Sequence, residues 1–94
     1  MYERGEDHLP TGRLVRPATE SRDDCFIEPL ANPVVVVNDT AMTLRSDCSH
    51  WVIYDGDPDG ICLEPQSGPP NAPNDAPFIL EAGATLHRWF EICW

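Results

Sequence analysis

Glu64 is the one acidic residue that closes an apolar strand-like run, Ile61-Cys62-Leu63-Glu64, rather than sitting in a loop. A carboxylate placed there costs desolvation unless something pairs with it. Partial burial would lift it toward the range of a general base. An exposed glutamate on an edge strand has the same signature, so position alone leaves both readings open. The second cluster is Asp55, Asp57, Asp59 and Gly60, which fits the first half of a calcium loop, D-x-D-x-D-G. The match stops there, because Gln66 holds the twelfth place, Pro58 stiffens the loop and strand-like residues flank it. A hairpin turn from Tyr54 to Ile61 accounts for the composition, with calcium as the lesser alternative. Cys48 and His50 form C-x-H, which is not a recognised zinc spacing.

The elements that must position these residues are short. Cys25-Phe26-Ile27 reads as a strand stopped by Pro29. Pro33 opens Val34-Val35-Val36-Val37, whose β-branched run disfavours helix, and Asn38-Asp39 supplies a turn. Met42-Thr43-Leu44-Arg45 alternates as a half-buried strand does. His50-Trp51-Val52-Ile53-Tyr54 is apolar on both faces and reads as a buried strand. Asp55 to Gly60 reads as a turn, and Pro65 is expected to limit pairing of the strand that follows. Residues 66–77 are rich in Pro, with Gly68, Asn71 and Asn74, and read as irregular loop. Phe78-Ile79-Leu80 reads as a short strand. In the last stretch Leu86, Phe90, Ile92 and Trp94 recur at period two. Arg13 to Arg16 reads as a short extended piece and Pro17 to Asp23 as a polar loop. No window holds a sustained helical period, so the class is all-β.

Composition bounds the function. The chain has 94 residues, enough for a single domain or part of one, with a thin core. Sixteen Asp and Glu stand against six Arg, with no Lys, for a formal net charge of −10. That balance argues against nucleic acid and against anionic membrane surfaces. No apolar stretch approaches a membrane span, and the charged start lacks the middle of a secretory signal, which points to the cytoplasm. Cys25, Cys48, Cys62 and Cys93 show no C-x-x-C pair and read as free thiols packed like small hydrophobes.

Several stretches together resemble the aldose 1-epimerase (galactose mutarotase) family. Glu64-Pro65-Gln66-Ser67-Gly68-Pro69-Pro70-Asn71-Ala72-Pro73-Asn74 is similar to its signature, a strand-end Glu followed by a loop ending in P-[ND]-A-x-N. Leu9-Pro10-Thr11-Gly12 resembles its LPTG turn, and Asp23-Asp24-Cys25-Phe26 resembles its D-[DH]-x-F element. Ser46 to Tyr54 is similar to a strand of bacterial members, and Leu80 to Leu86 resembles the closing L-x-P-G-E-x-L turn. The motifs follow in order over nearly all of residues 1–94.

The resemblance implies a mostly antiparallel β-sandwich of the galactose mutarotase type, of which this chain is the C-terminal segment. It also implies a reaction, interconversion of the α and β anomers of a hexose such as galactose or glucose, without metal or other cofactor. On that resemblance Glu64 takes the proton of the anomeric hydroxyl, and Asp23 accepts hydrogen bonds from sugar hydroxyls. The family's proton-donating His residues lie upstream of the LPTG turn, so the chain is expected to be incomplete and inactive alone. His8, His50 and His87 match none of those positions and read as turn, strand-face and surface residues. Val52 stands where many members have Gln. A non-catalytic carbohydrate-binding or assembly module is the alternative, with Trp51, Tyr54 and Trp89 as stacking candidates. Exposed sheet edges suggest self-association.

Overall fold

A computed structural model describes residues 1–17 and 21–94; residues 18–20, part of the stretch read as a polar loop, lie outside the described residues. The strands are β1 (Tyr2–Arg4), β2 (Pro10–Leu14), β3 (Asp23–Ile27), β4 (Val34–Val37), β5 (Thr40–Ser46), β6 (His50–Asp57), β7 (Gly60–Gln66) and β8 (Phe90–Cys93). They pair antiparallel in three sheets: β1-β2, β3-β6-β7 and β4-β5-β8. The all-β expectation holds.

Local chemistry explains the hairpins. Asn38 and Asp39 both have positive φ, 48° and 64°, which is the two-residue turn whose twist suits a hairpin. Thr40 therefore faces Val37, and Val34 faces Thr43. The β6–β7 turn is tighter than the sequence suggested. Asp57 pairs with Gly60, and the Asp59 N–H donates to Asp57 Oδ1 at 2.8 Å. Asp55 and Gly56 belong to β6, beside a register shift between Tyr54 and Asp57.

Three other expectations need correction. Pro65 does not end pairing; it faces Trp51, and β7 runs on to Gln66. As an edge strand, β7 tolerates a residue with no N–H to give. Phe78, Ile79 and Leu80 form no strand and stand exposed, whereas Ala72–Asp75 makes one helical turn with Pro73 at its start. All four cysteines are free, yet only Cys25 packs as a buried hydrophobe; Cys62 and Cys93 are exposed. Burial pushes the Cys25 thiol up to about 11.

The core is small. Among the described residues the buried hydrophobic side chains are Trp51, Cys25 and Leu44. Trp51 sits on the central strand between Phe26 and Pro65, so β3, β6 and β7 all pack through it. The tail is tied to β5 by hydrogen bonds, Ser46 Oγ to the Trp89 carbonyl at 2.6 Å and the Trp89 N–H to Asp47 Oδ1 at 2.9 Å.

Truncating this one side chain tests that account. Trp51→Ala removes a large buried aromatic, a loss of about 3–5 kcal/mol, from a total that for small domains is about 5–15 kcal/mol. Urea unfolding followed by circular dichroism should show the transition shifted sharply down or absent. Trp94→Ala, at an 85% exposed position, should stay within about 0.5 kcal/mol of the parent.

Candidate functional site

Register decides which side chains meet. Residues directly opposite in an antiparallel pair share a face, and every second residue returns to it. Asp23 is opposite Tyr54, which is opposite Cys62; Cys25 is opposite Val52, which is opposite Glu64; Ile27 is opposite His50, which is opposite Gln66. These residues form one face of β3-β6-β7. Asp24, Phe26, Trp51, Ile53, Leu63 and Pro65 form the other.

Asp23 and Glu64 therefore stand on the same side of the sheet. Two strand spacings and two residues along the strand separate their backbones by about 12 Å. That is too far for the carboxylates to share a proton, and it leaves the Tyr54 and Val52 positions as floor between them. Glu64 is exposed, and Gln66 Nε2 donates to Glu64 Oε2 at 3.2 Å. The strand-end position does not bury Glu64, which lies on the edge strand β7.

Asp23 is half-buried and held from the β1–β2 hairpin. Arg4 Nη1 donates to the Asp23 carbonyl at 3.3 Å and lies 3.8 Å from Asp23 Oδ2. Arg4 Nε stands 4.0 Å from Asp24 Oδ1, so one guanidinium serves both carboxylates, and it offsets the burial of Asp24. His8 reaches the same end. It sits in the Gly5–Leu9 turn at φ 65°, with Nδ1 3.7 Å from Asp23 Oδ2. The turn reading of His8 stands, and the structure adds its place beside Asp23. The hairpin is braced by Glu3, which accepts from Thr11 Oγ1 at 3.0 Å and pairs with Arg13.

His50 is a strand-face residue, as read, and its ring stacks on Tyr2 at 6.0 Å between centroids. Its Nδ1 is 2.9 Å from Ser49 Oγ, while its buried Nε2 has no partner among the described residues. Burial holds the imidazole below its ordinary pKa, against a smaller opposing pull from Glu28. His50 also borders a cavity of about 620 Å³ with Pro69, Ala72, Phe78 and Leu86, and a smaller one of about 270 Å³ with Tyr2 and Asn71. Neither Asp23 nor Glu64 borders these cavities. His87 is exposed and lies before β8.

The aspartate-rich segment is divided by its hydrogen bonds. Asp55 Oδ1 accepts the Arg22 N–H at 2.5 Å and Ser21 Oγ at 3.0 Å, which ties the start of β3 to β6 and holds the Asp55 carboxyl below its usual range. Asp57 caps its own turn. Among the described residues no three metal-ligating side chains gather at coordinating distance.

Of the aromatic candidates, Trp51 is core on the far face and Trp89 lies in the tail; Tyr54 is the one on the Asp23–Glu64 face. Arg4 and Gln66 escaped the sequence reading. Gln66 carried a usable signal, since i and i+2 on a strand share a face with Glu64. Arg4 carried none. Comparison with family models, with curated proteins and with solved structures returns no match.

The His50 environment makes stability depend on pH. A base whose folded-state pKa is depressed favours the fold above its unfolded pKa, and that contribution is lost as pH falls. The urea midpoint should therefore drop on going below about pH 6.5. His50→Phe keeps a ring on Tyr2 and should flatten the slope in that interval. Asp55 enters only below about pH 4, so the two losses separate along the titration.

Proposed function

We propose that this chain carries the base and one sugar anchor of an aldose 1-epimerase-like site, on a sheet belonging to a galactose mutarotase-like β-sandwich. The observation that carries the reading is the register that sets Asp23 and Glu64 on one face, with Tyr54 opposite Asp23. The sequence resemblance independently assigns work to the same two carboxylates.

In this reading a hexose lies along the face. Asp23 accepts hydrogen bonds from two neighbouring hydroxyls, oriented by Arg4. Tyr54 offers a ring to an apolar sugar face. Glu64, its carboxylate held by Gln66, takes the proton of the anomeric hydroxyl as the bond between C1 and the ring oxygen breaks. The proton that the ring oxygen needs comes from a separate donor. His8 stands at the Asp23 end, too far from Glu64 to act on an atom adjacent to the same anomeric carbon. A face bearing two carboxylates on a chain of net charge −10 suits a neutral sugar and repels phosphorylated ones.

A second reading has its own support. Glu64 is solvent-exposed, which suits hydrogen bonding to hydroxyls better than proton abstraction, so the same face serves a non-catalytic sugar-binding module.

Two measurements on the purified chain separate these. Saturation-transfer NMR with galactose and glucose should show contact, and Asp23→Asn should weaken it about tenfold, equivalent to about 1.4 kcal/mol. Polarimetry should show anomer exchange close to the buffer rate. A rate well above buffer that disappears in Glu64→Gln would mean the chain suffices as an enzyme; no sugar contact at all would remove both readings.

A further inference from the structure

Among the described residues, few polar or ring contacts join the β1–β2 hairpin to the rest of the chain. Tyr2 stacks on His50 at 6.0 Å between ring centroids, with the planes 13° apart. Asn71 Nδ2 donates to the Pro10 carbonyl at 3.3 Å, and Arg4 and His8 meet Asp23 at the other end. Between these points the seating is loose. The cavity of about 270 Å³ runs among Tyr2, Pro10, Gly12, Ile27, His50 and Asn71.

The ring that carries the stack has no place for a second proton. Its Nδ1 meets Ser49 Oγ at 2.9 Å, and its buried Nε2 has no partner among the described residues. In a neutral imidazole one nitrogen donates and the other accepts; in the cation both donate. Ser49 Oγ can accept one of those N–H groups, and nothing accepts the other. A buried donor without an acceptor is costly, and more so when it carries charge. The charged and titratable neighbours do not repair this. On β1 they are Tyr2 and, two residues on, Arg4; after β3 comes the exposed Glu28, whose pull on the ring is weaker than the burial opposing it. On β7 the residue opposite is the neutral Gln66, with Glu64 two residues back, and Asp75 stands across the smaller cavity. None of them bonds to Nε2. The attraction of a cation to the Tyr2 ring is smaller than the cost of a buried, unpaired charge.

We propose that the β1–β2 hairpin is an acid-released strap, docked while His50 is neutral and freed at its Tyr2 end when the ring takes a proton. The second N–H reaches water only if the ring leaves the stack, and a two-stranded hairpin is marginal on its own. Release therefore frays β1 and β2 and carries Arg4 and His8 away from Asp23. Acid favours release because the freed ring binds the proton more readily than the docked one. Docking is fully present above about pH 6.5 and weakens below it. His8 works in the opposite sense, since a proton there strengthens its pairing with Asp23. The inference does not rest on the sugar reading.

Amide protection factors, measured by NMR at about pH 7.5 and about pH 5.0 and corrected for intrinsic exchange, test it across the ordinary imidazole range. The hairpin probes are the Gly5 N–H, bonded to the Leu9 carbonyl at 2.8 Å, and the Val15 N–H, bonded to the Met1 carbonyl at 2.9 Å. Both should lose protection at least about threefold on acidification, with a ceiling of about thirtyfold for one group of ordinary pKa about 6.5. The Glu28 and Asp55 N–H groups, which tie the ends of β3 and β6 together, should keep theirs. His50→Phe keeps a ring on Tyr2 and should abolish the hairpin's response to pH. Tyr2→Ala should lower hairpin protection at both pH values, and His8→Asn should leave the response in place. Unchanged hairpin protection in the parent, an equal loss at Glu28 and Asp55, or the parent's response persisting in His50→Phe would each overturn the inference. So would full protection in Tyr2→Ala or loss of the response in His8→Asn.

Discussion

The register of β6 is the constraint on which the rest depends. β6 is the centre of its sheet, and its pairing with β3 on one side and β7 on the other places Asp23 and Glu64 on a common face. A slip of one residue in either ladder would send one carboxylate to the Trp51 side. Both ends of the strand are fixed against that slip. At one end the Glu28 N–H donates to the Ser49 carbonyl at 2.8 Å; at the other the Asp55 N–H donates to the Arg22 carbonyl at 3.0 Å. The tight Asp57–Gly60 turn then leaves β7 one register in which to return. Trp51, buried between Phe26 and Pro65, adds an energetic reason, because a slipped strand would carry it into solvent.

The few positive charges are spent with economy of position. Arg13 and Arg45 each pair with one glutamate on exposed hairpin or sheet surface, where such pairs contribute little. Arg4 is different. It crosses from β1 to β3 and faces both Asp23 and the buried Asp24, so the small N-terminal hairpin is held to the sheet at the very residue that anchors ligand in the proposed site. Glu64 has only an amide beside it. The two carboxylates thus differ in environment although they share a face: Asp23 is half-buried beside a guanidinium and Glu64 is exposed beside an amide.

Hairpins and strand identities were legible in the sequence because their causes are local. Asn38-Asp39 forces its turn, and the β-branched run before it has no competing conformation. What depended on distant partners was not legible. Phe78-Ile79-Leu80 has strand composition, but no neighbour offers it a ladder, and apolar composition does not say whether cover exists. Cys62 and Cys93 looked like core for the same reason. Asp55 looked like part of a turn until its carboxylate was seen bridging to Arg22, thirty-three residues away in sequence. Of the site, Glu64 was visible as an acidic residue ending an apolar strand. Asp23 was visible only through resemblance, and Arg4, which orients it, through nothing in the pattern.

The two three-stranded sheets divide the work unequally, and the division follows from where Trp51 sits. The β3-β6-β7 sheet buries Trp51 on its far face, while its near face carries the buried Cys25, the His50 ring stacked on Tyr2, and the exposed Tyr54, Cys62 and Glu64. The β4-β5-β8 sheet buries Leu44, half-buries Val35 and Met42, and leaves Val37, Phe90 and Ile92 exposed. Burial stabilises by about 25 cal/mol per Å², so the uncovered patch is free energy that the isolated chain does not collect.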